Sequence, residues 1–377
     1  MNKIVEIGEV DGFSANGVVA GIKKAGLDVG VIVADEPATS AALFTNNSIV
    51  AAPVSLSQKN IKTGETRAII VNSGNANCMT GEQGVKDAEL MALKTAEKVG
   101  CEPSQVLVAS TGIIGYQLPV DKVIKGISGA VQATDNTQAD SFSKSILTTD
   151  TVRKVASSIF KIDGKEVTIS GCAKGSGMIQ PNMATMLAFF TTDVSIDSKM
   201  LDTALRAACE DSFNAITIDG CMSTNDMVSI MASGKAANNL IETKNEDYEK
   251  FVKELSVLCK DLALLVVKDG EGATTLIEVE VNGAETKEQA KLLARSIANS
   301  PLVKTAANAK LPNWGRIAQA VGQMGLRITE DNLKTKAERP ADDHVKIIVE
   351  TNLGDANGTI YTCDFTEEYI KINAEYN

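Results

Sequence analysis

Thr185 is the residue of this chain whose surroundings ask for a chemical explanation. It stands in AKGSGMIQPNMATMLAFFTTD, residues 173–193, between Gly-rich, Pro-broken backbone and an apolar run that reads as a buried strand. A threonine hydroxyl that attacks the carbonyl just before it cuts its own chain and leaves an α-amino group on the same residue. Nucleophile and base then share one residue. An α-amino group titrates near about 7.7 to 8.0, so it accepts a proton at neutral pH without a histidine. Gly175 and Gly177 permit backbone conformations that other residues avoid, and Pro181 fixes its own φ and biases Gln180 away from helix. Such a loop is shaped to hold the Ala184 carbonyl against Thr185. The β-branch of threonine also restricts χ1 and keeps the hydroxyl aimed. Taken alone, a Thr before an apolar run reads as an ordinary strand residue.

Other chemistries are thinly supplied. The seven cysteines, Cys78, Cys101, Cys172, Cys209, Cys221, Cys259 and Cys363, contain no CxxC pair, so neither a disulfide framework nor a zinc site is indicated. A single histidine, His344 in ADDHVKIIVE, leaves no His-rich metal site and reads as structural. No GxxxxGKS/T phosphate loop is present. Acyl transfer, by contrast, needs donors aimed at an oxygen that becomes negative. Ser110-Thr111-Gly112, after the strand-like QVLVA, offers a hydroxyl and N–H groups in a turn.

KGSGMIQPNMATML resembles the self-cleavage motif of the ornithine acetyltransferases, the arginine-pathway family also called glutamate N-acetyltransferases. GVVAGIKKAGLDVGVIVAD, VNSGNANCMTG, STGIIG, LTTDT, DGCMSTNDMV, KDGEGATTLIEV, LPNWGRIAQAVG and TCDFTEEYIKINAEYN resemble further blocks of that family, in its order and over essentially the whole chain. The resemblance implies cleavage between Ala184 and Thr185 and transfer of an acetyl group from N2-acetyl-L-ornithine to L-glutamate through an acetyl-Thr185 intermediate. It makes Thr111 and Gly112 the oxyanion-hole pair. Lys174, in the same loop as the cleavage site, would face a substrate carboxylate. Glu271 in KDGEGAT would face an amine, with Thr148 in LTTDT and Asn373 in KINAEYN as further binding residues; Thr149 is an alternative to Thr148. The family's terminal block ends on a hydroxyl-bearing residue, whereas this chain stops at Asn377, one position short and without a hydroxyl, which leaves that contact open. Asp219 and Ser223-Thr224-Asn225-Asp226 match closely without an assignable step. Trp314 reads as a packing residue. No metal or organic cofactor is implied, and whether acetyl-coenzyme A also serves as donor stays open.

These residues need elements to hold them. Strand patterns fall at Gly30–Val33, Arg67–Val71, Gln105–Ala109, Met186–Phe190, Met227–Met231, Thr275–Val281 and His344–Glu350. Helical periodicity covers Gln83–Val99, Val120–Val131, Ser198–Ser212, Glu246–Lys268 and Lys287–Asn299. Asp163-Gly164 between Val155–Phe160 and Glu166–Ser170 reads as a hairpin leading into a Gly171–Gly177 loop. The class is α+β. Its stacking comes from the resemblance: a four-layer αββα sandwich of two packed β-sheets flanked by helices, with a smaller C-terminal lobe. Self-cleavage would divide the chain into an alpha chain, 1–184, and a beta chain, 185–377. Both would serve one core and stay associated, and the resemblance implies a heterotetramer of two alpha and two beta chains.

The 37 basic and 48 acidic residues give 37 − 48 = −11, without a basic block suited to nucleic acid or a membrane surface. The N-terminal MNKIVEIGEVDGF lacks an apolar leader, and no run reaches the roughly 18 apolar residues of a span, so a cytoplasmic enzyme is expected. Two other readings remain: a self-cleaving amidohydrolase or aminopeptidase with water as acceptor, and a non-catalytic binding protein on the same fold.

Overall fold

The computed structural model describes residues 4–132, 138–180, 186–310 and 313–375. The chain forms two compact units, Met1–Gly175 with Asn182–Phe213 and Met222–Leu262, and Ser176–Pro181 with Asn214–Cys221 and Ala263–Asn377. Neither unit follows the division at position 185, since each takes residues from both sides of it.

The first unit carries β1 (Phe13–Val18), β2 (Val29–Phe44), β3 (Glu65–Asn75), β4 (Val106–Ile113), β5 (Lys154–Ile162), β6 (Lys165–Lys174), β7 (Leu187–Thr192) and β8 (Met227–Ala232). Its helices are α1 (Ala52–Asn60), α2 (Gly81–Val99), α3 (Val120–Gln132), α4 (Ser141–Ser145) and α5 (Ser198–Glu210), and α6 (Glu246–Lys268) starts here. The strands run in the order β4-β3-β2-β8-β7-β6-β5, with β1 on β2. β2 joins the two halves. Its first part pairs with β1, its second part with β8, and the register against β3 shifts between Val33 and Ala38. The two sheets expected from the resemblance are therefore one hydrogen-bonded sheet, folded through a 16-residue strand that the periodicity had located only at Gly30–Val33.

Alternation of side chains builds the layers. On β3 and β4, Ala68, Ile70, Val106 and Val108 pack with Met91 and Ala92 of α2 and Val123 and Ile127 of α3. Ile69, Val71, Leu107 and Ala109 point the other way, into a second cluster with Cys172 of β6, Leu187 and Phe189 of β7 and Met227 and Met231 of β8. Sheet therefore faces sheet across this cluster. On the far face of β7, Phe190 lies 6.4 Å from the Phe213 ring, and a Cβ at Gly171 would meet both Phe190 and Leu262 of α6. Helix, strand, strand and helix layers follow, the sandwich that was expected. Asp163 and Gly164, at φ 50 and 73, turn β5 into β6 as the left-handed pair of a two-residue hairpin. β6 continues to Lys174, so the expected loop begins only at Gly175.

The second unit is a four-stranded sheet, β10 (Lys334–Ala341), β11 (His344–Glu350), β9 (Leu276–Ala284) and β12 (Ala356–Cys363) in that order, with β11 and β9 parallel. Ile277, Val279 and Val281 of β9 and Val345, Ile347 and Val349 of β11 bury against α7 (Lys287–Ala298), α8 (Pro301–Asn308) and α9 (Trp314–Gly322). This is the smaller C-terminal lobe, and α10 (Glu367–Glu375) completes it. His344 places Nε2 3.3 Å from Glu278 at the start of β11. Trp314, expected to pack, begins α9 with 43% of its surface exposed, because the apolar stripe of α9 runs through Ile317, Ala320 and Val321 instead. Among the described residues no helix is long and apolar enough to cross a membrane.

Candidate active site

Lys174 ends β6, paired with Leu187 of β7. It is a strand residue, not the loop lysine expected. Only 9% exposed, it sends its ammonium to two hydroxyls: Nζ donates to Thr148 Oγ1 at 2.8 Å and to Thr111 Oγ1 at 3.1 Å. The sequence placed these three residues in separate blocks, and the fold brings them together. It is Thr148 whose hydroxyl meets the lysine.

Beneath them lies an ion pair that the pattern did not disclose, although Asp150 stands in the LTTDT block. Asp150 Oδ1 accepts from Lys154 Nζ at 2.6 Å, both side chains wholly buried, and from the Gly175 N–H at 2.7 Å. Its Oδ2 accepts from the Thr148 N–H at 3.1 Å. Burial alone would raise the Asp150 pKa, but Lys174, Lys154 and these hydrogen bonds outweigh it and hold the value at about 2. The carboxylate thus fixes the first residue past β6 and the backbone of Thr148.

Asp226 behaves oppositely. It immediately precedes β8, whose Met227 N–H donates to Met186 O at 3.0 Å. Its side chain is 1% exposed, and burial raises its pKa well above the usual carboxylate range, more than hydrogen bonds with Ser223 and Thr45 and the nearby Lys174 lower it. Burial thus favours the protonated form of Asp226, the opposite of what the lysines do for Asp150. Its Oδ2 has no hydrogen-bond partner among the described residues. Two lysines, Lys174 and Lys154, thus act on one carboxylate, Asp150. Neither Asp226 nor Lys154 carried a sequence signal of this role.

Thr111 and Gly112 lie at the end of β4, opposite Ser73 and Gly74 of β3 in parallel register. Gly112 sits at φ +133, and a Cβ there would fall 2.3 Å from the Gly74 carbonyl carbon, so only glycine fits. The turn is braced from behind. Ser110 Oγ donates to Asn72 Oδ1 at 2.5 Å, and Asn225 Nδ2 donates to Ser110 O at 2.9 Å and Ala76 O at 2.6 Å. Because Thr111 Oγ1 accepts from Lys174, its own hydrogen is directed elsewhere. A hydroxyl polarised in this way is a stronger donor to a developing oxyanion.

Glu271 and Asn373 belong to the second unit. Asn373 Nδ2 donates to Glu271 Oε2 at 2.8 Å and to Tyr369 O at 3.0 Å. The Glu271 N–H donates to Ser176 O at 2.8 Å, and its carboxylate crosses Gly177 so closely that a Cβ there would sit 2.5 Å from Oε2. A glutamate and a carboxamide side by side can receive a cationic amine. Phe365 stacks on Tyr369 with centroids 4.9 Å apart, and Lys304 Nζ lies 4.5 Å over the Phe365 ring, which steadies the approach to α10. Ala184, Thr185 and Asn377 lie outside the described residues.

The description of the ArgJ family matches residues 14–341 of this chain. The arginine biosynthesis bifunctional protein ArgJ of Bacillus cereus is 46% identical over 386 residues, covering 97% of this chain and 95% of its own length. That of Geobacillus kaustophilus is 45% identical, covering 97% and 94%. Among solved structures, argJ of Bacillus halodurans is 42% identical over 48% of this chain and 94% of its own, at a TM-score of 0.44. Ornithine acetyltransferase of Mycobacterium tuberculosis, complexed with ornithine, is 34% identical over 48% and 96%, at a TM-score of 0.43.

Proposed function

The chain belongs to the ArgJ family, and on that premise we propose that it is a glutamate N-acetyltransferase that moves the acetyl group of N2-acetyl-L-ornithine to L-glutamate by a ping-pong route. Maturation comes first. Thr185 Oγ adds to the Ala184 carbonyl carbon, the C–N bond breaks, and the nitrogen keeps the hydroxyl's proton. Water then hydrolyses the resulting ester, leaving a carboxylate on Ala184 and a free amine and hydroxyl on Thr185. In the transfer reaction the Thr185 amine takes the hydroxyl proton as Oγ attacks the acetyl carbonyl, and returns it to the departing ornithine nitrogen. Glutamate's α-amine attacks the acetyl-Thr185 ester, and N-acetyl-L-glutamate leaves. No cofactor takes part.

The observation that carries this reading is the Lys174 ammonium bonded to both Thr111 and Thr148. It supports Lys174 and Thr148 as the holders of the substrate carboxylate, with Thr111 and Gly112 as donors to the oxyanion. Glu271, aligned by Asn373, takes the side-chain amine of ornithine. Strand pairing supports lasting association of the two fragments, because β6 pairs with β7 and β2 with β8 across the cleavage position. Two such pairs as a heterotetramer, in the cytoplasm, complete the proposal.

Intact mass and N-terminal sequencing of purified protein test it. Two polypeptides meeting at Ala184 and Thr185 are expected, with Thr185→Ala remaining one inactive chain. Cleavage of that variant at the same bond would remove Thr185 as nucleophile. Assays with and without glutamate separate transfer from hydrolysis, and acetyl-coenzyme A with glutamate alone tests a second donor.

A further inference from the structure

A set of hydrogen bonds in the second unit grips residues 178–180, and nothing in the transfer reaction uses it. Asp219 is its centre. Oδ2 accepts from the Met178 N–H at 2.6 Å, and Oδ1 accepts from the N–H groups of Ile179 and Cys221, each at 3.0 Å. The Ile179 carbonyl receives the Ile218 N–H at 2.8 Å, and the Thr217 hydroxyl lies 3.1 Å from that carbonyl and 2.7 Å from Asn299 Oδ1. Asn299 Nδ2 in turn donates to Gln180 Oε1 at 2.5 Å. Met178 is held at φ 55, a left-handed conformation that methionine avoids unless its surroundings over-determine it. An anion receiving two successive N–H groups supplies that constraint.

We propose that Asp219, together with Asn299, is a positioning device for self-cleavage, orienting the chain where it leaves Gln180 for the Ala184–Thr185 bond. This rests on the self-cleavage reading above. Attack by Thr185 Oγ on the preceding carbonyl is unimolecular, and its rate depends on how often the bond is presented along the line of attack. Pro181 follows Gln180 directly and restricts that residue's backbone, so the proline and the clasp together act on Gln180, four residues before Ala184. Once the bond is cut, residues 178–180 have nothing left to aim. Acetyl transfer by the mature protein is then independent of the clasp.

Asp219→Asn keeps the shape of the side chain but turns one acceptor into a donor facing an N–H. Cleavage is followed on gels after synthesis of the full chain, and acetyl transfer is normalised to the number of free Thr185 N-termini. Roughly tenfold or slower cleavage is expected, with unchanged turnover per mature molecule. The uncut Asp219→Asn chain should melt close to the uncut Thr185→Ala chain, which separates aim from fold. Asn299→Ala, which spares the carboxylate, should slow cleavage in the same direction. Parent-like cleavage in both variants overturns the proposal, as does turnover per mature molecule that falls along with cleavage. A parent chain that never cleaves overturns the self-cleavage reading itself.

Discussion

The ammonium of Lys174 stands 3.1 Å from the hydroxyl oxygen of Thr111, a residue 63 positions away in the sequence. The same ammonium stands 2.8 Å from Thr148 Oγ1, so one cation joins two hydroxyls from separate parts of the chain. Lys174 is held by its strand pairing with Leu187, and Asp150 accepts from the backbone N–H groups of Thr148 and of Gly175, the next residue along.

Thr111→Ala tests the donor. Loss of one oxyanion-hole donor typically costs about 2.7 to 4 kcal/mol in the transition state. Turnover should fall roughly a hundredfold or more with KM changed little. Normal turnover with a raised KM would make Thr111 a substrate-binding residue only.

Charge recognition is tested by two substitutions. Truncating one member of a buried charge-assisted contact costs about 2 to 5 kcal/mol, so Lys174→Met should raise KM for N-acetylornithine strongly and also lower turnover through Thr111. Glu271→Gln still accepts from Asn373 but loses its charge. Its defect should appear with ornithine compounds and spare N-acetylglutamate, which lacks the second amine. Equal losses for both substrates would remove Glu271 from amine recognition.

Acid stability should report the Asp150–Lys154 pair. The Asp150 pKa falls from 3.8 to about 2 on folding, so the folded state binds fewer protons and gains about 2 to 3 kcal/mol above pH 4. That gain is lost as pH drops from near 4 through 2. Asp150→Asn, which strands a buried lysine, should be less stable by about 3 to 5 kcal/mol near neutrality. In urea unfolding of the uncut Thr185→Ala background, the gap between the Asp150→Asn chain and its Asp150 counterpart should narrow toward pH 2; a constant gap would contradict the depressed pKa.

Asp226 has the opposite sign. Its pKa is raised on folding, so from about pH 4 upward the folded state keeps a proton that the unfolded chain releases, and stability falls with pH. Asp226→Asn removes that dependence. In the same uncut background, the Asn variant should gain stability relative to its Asp226 counterpart as pH rises above about 4. A difference that stays flat would mean that Asp226 is ionised in the folded protein.

Local chemistry was legible in the sequence. The Asp163-Gly164 turn, helix α6 and strand β11 are set by period and by residues that only certain backbone angles accept, and those signals act over a few positions. The STG turn at the end of β4 was likewise readable, because it is a contiguous motif, whereas Ala184 and Thr185 lie outside the described residues. What pattern could not reach was partnership across the chain. Whether Lys174 meets Thr111, and whether Asn373 meets Glu271 from 102 positions away, depends on strand register and on where α10 comes to rest. Burial made the same kind of decision for two aspartates. Asp150 and Asp226 have identical side chains, yet one is buried against lysines and has its pKa lowered while the other is buried with an unpartnered oxygen and has its pKa raised. Their charge states follow from the field that distant residues create around them, and that field exists only once the sheet has folded back on itself.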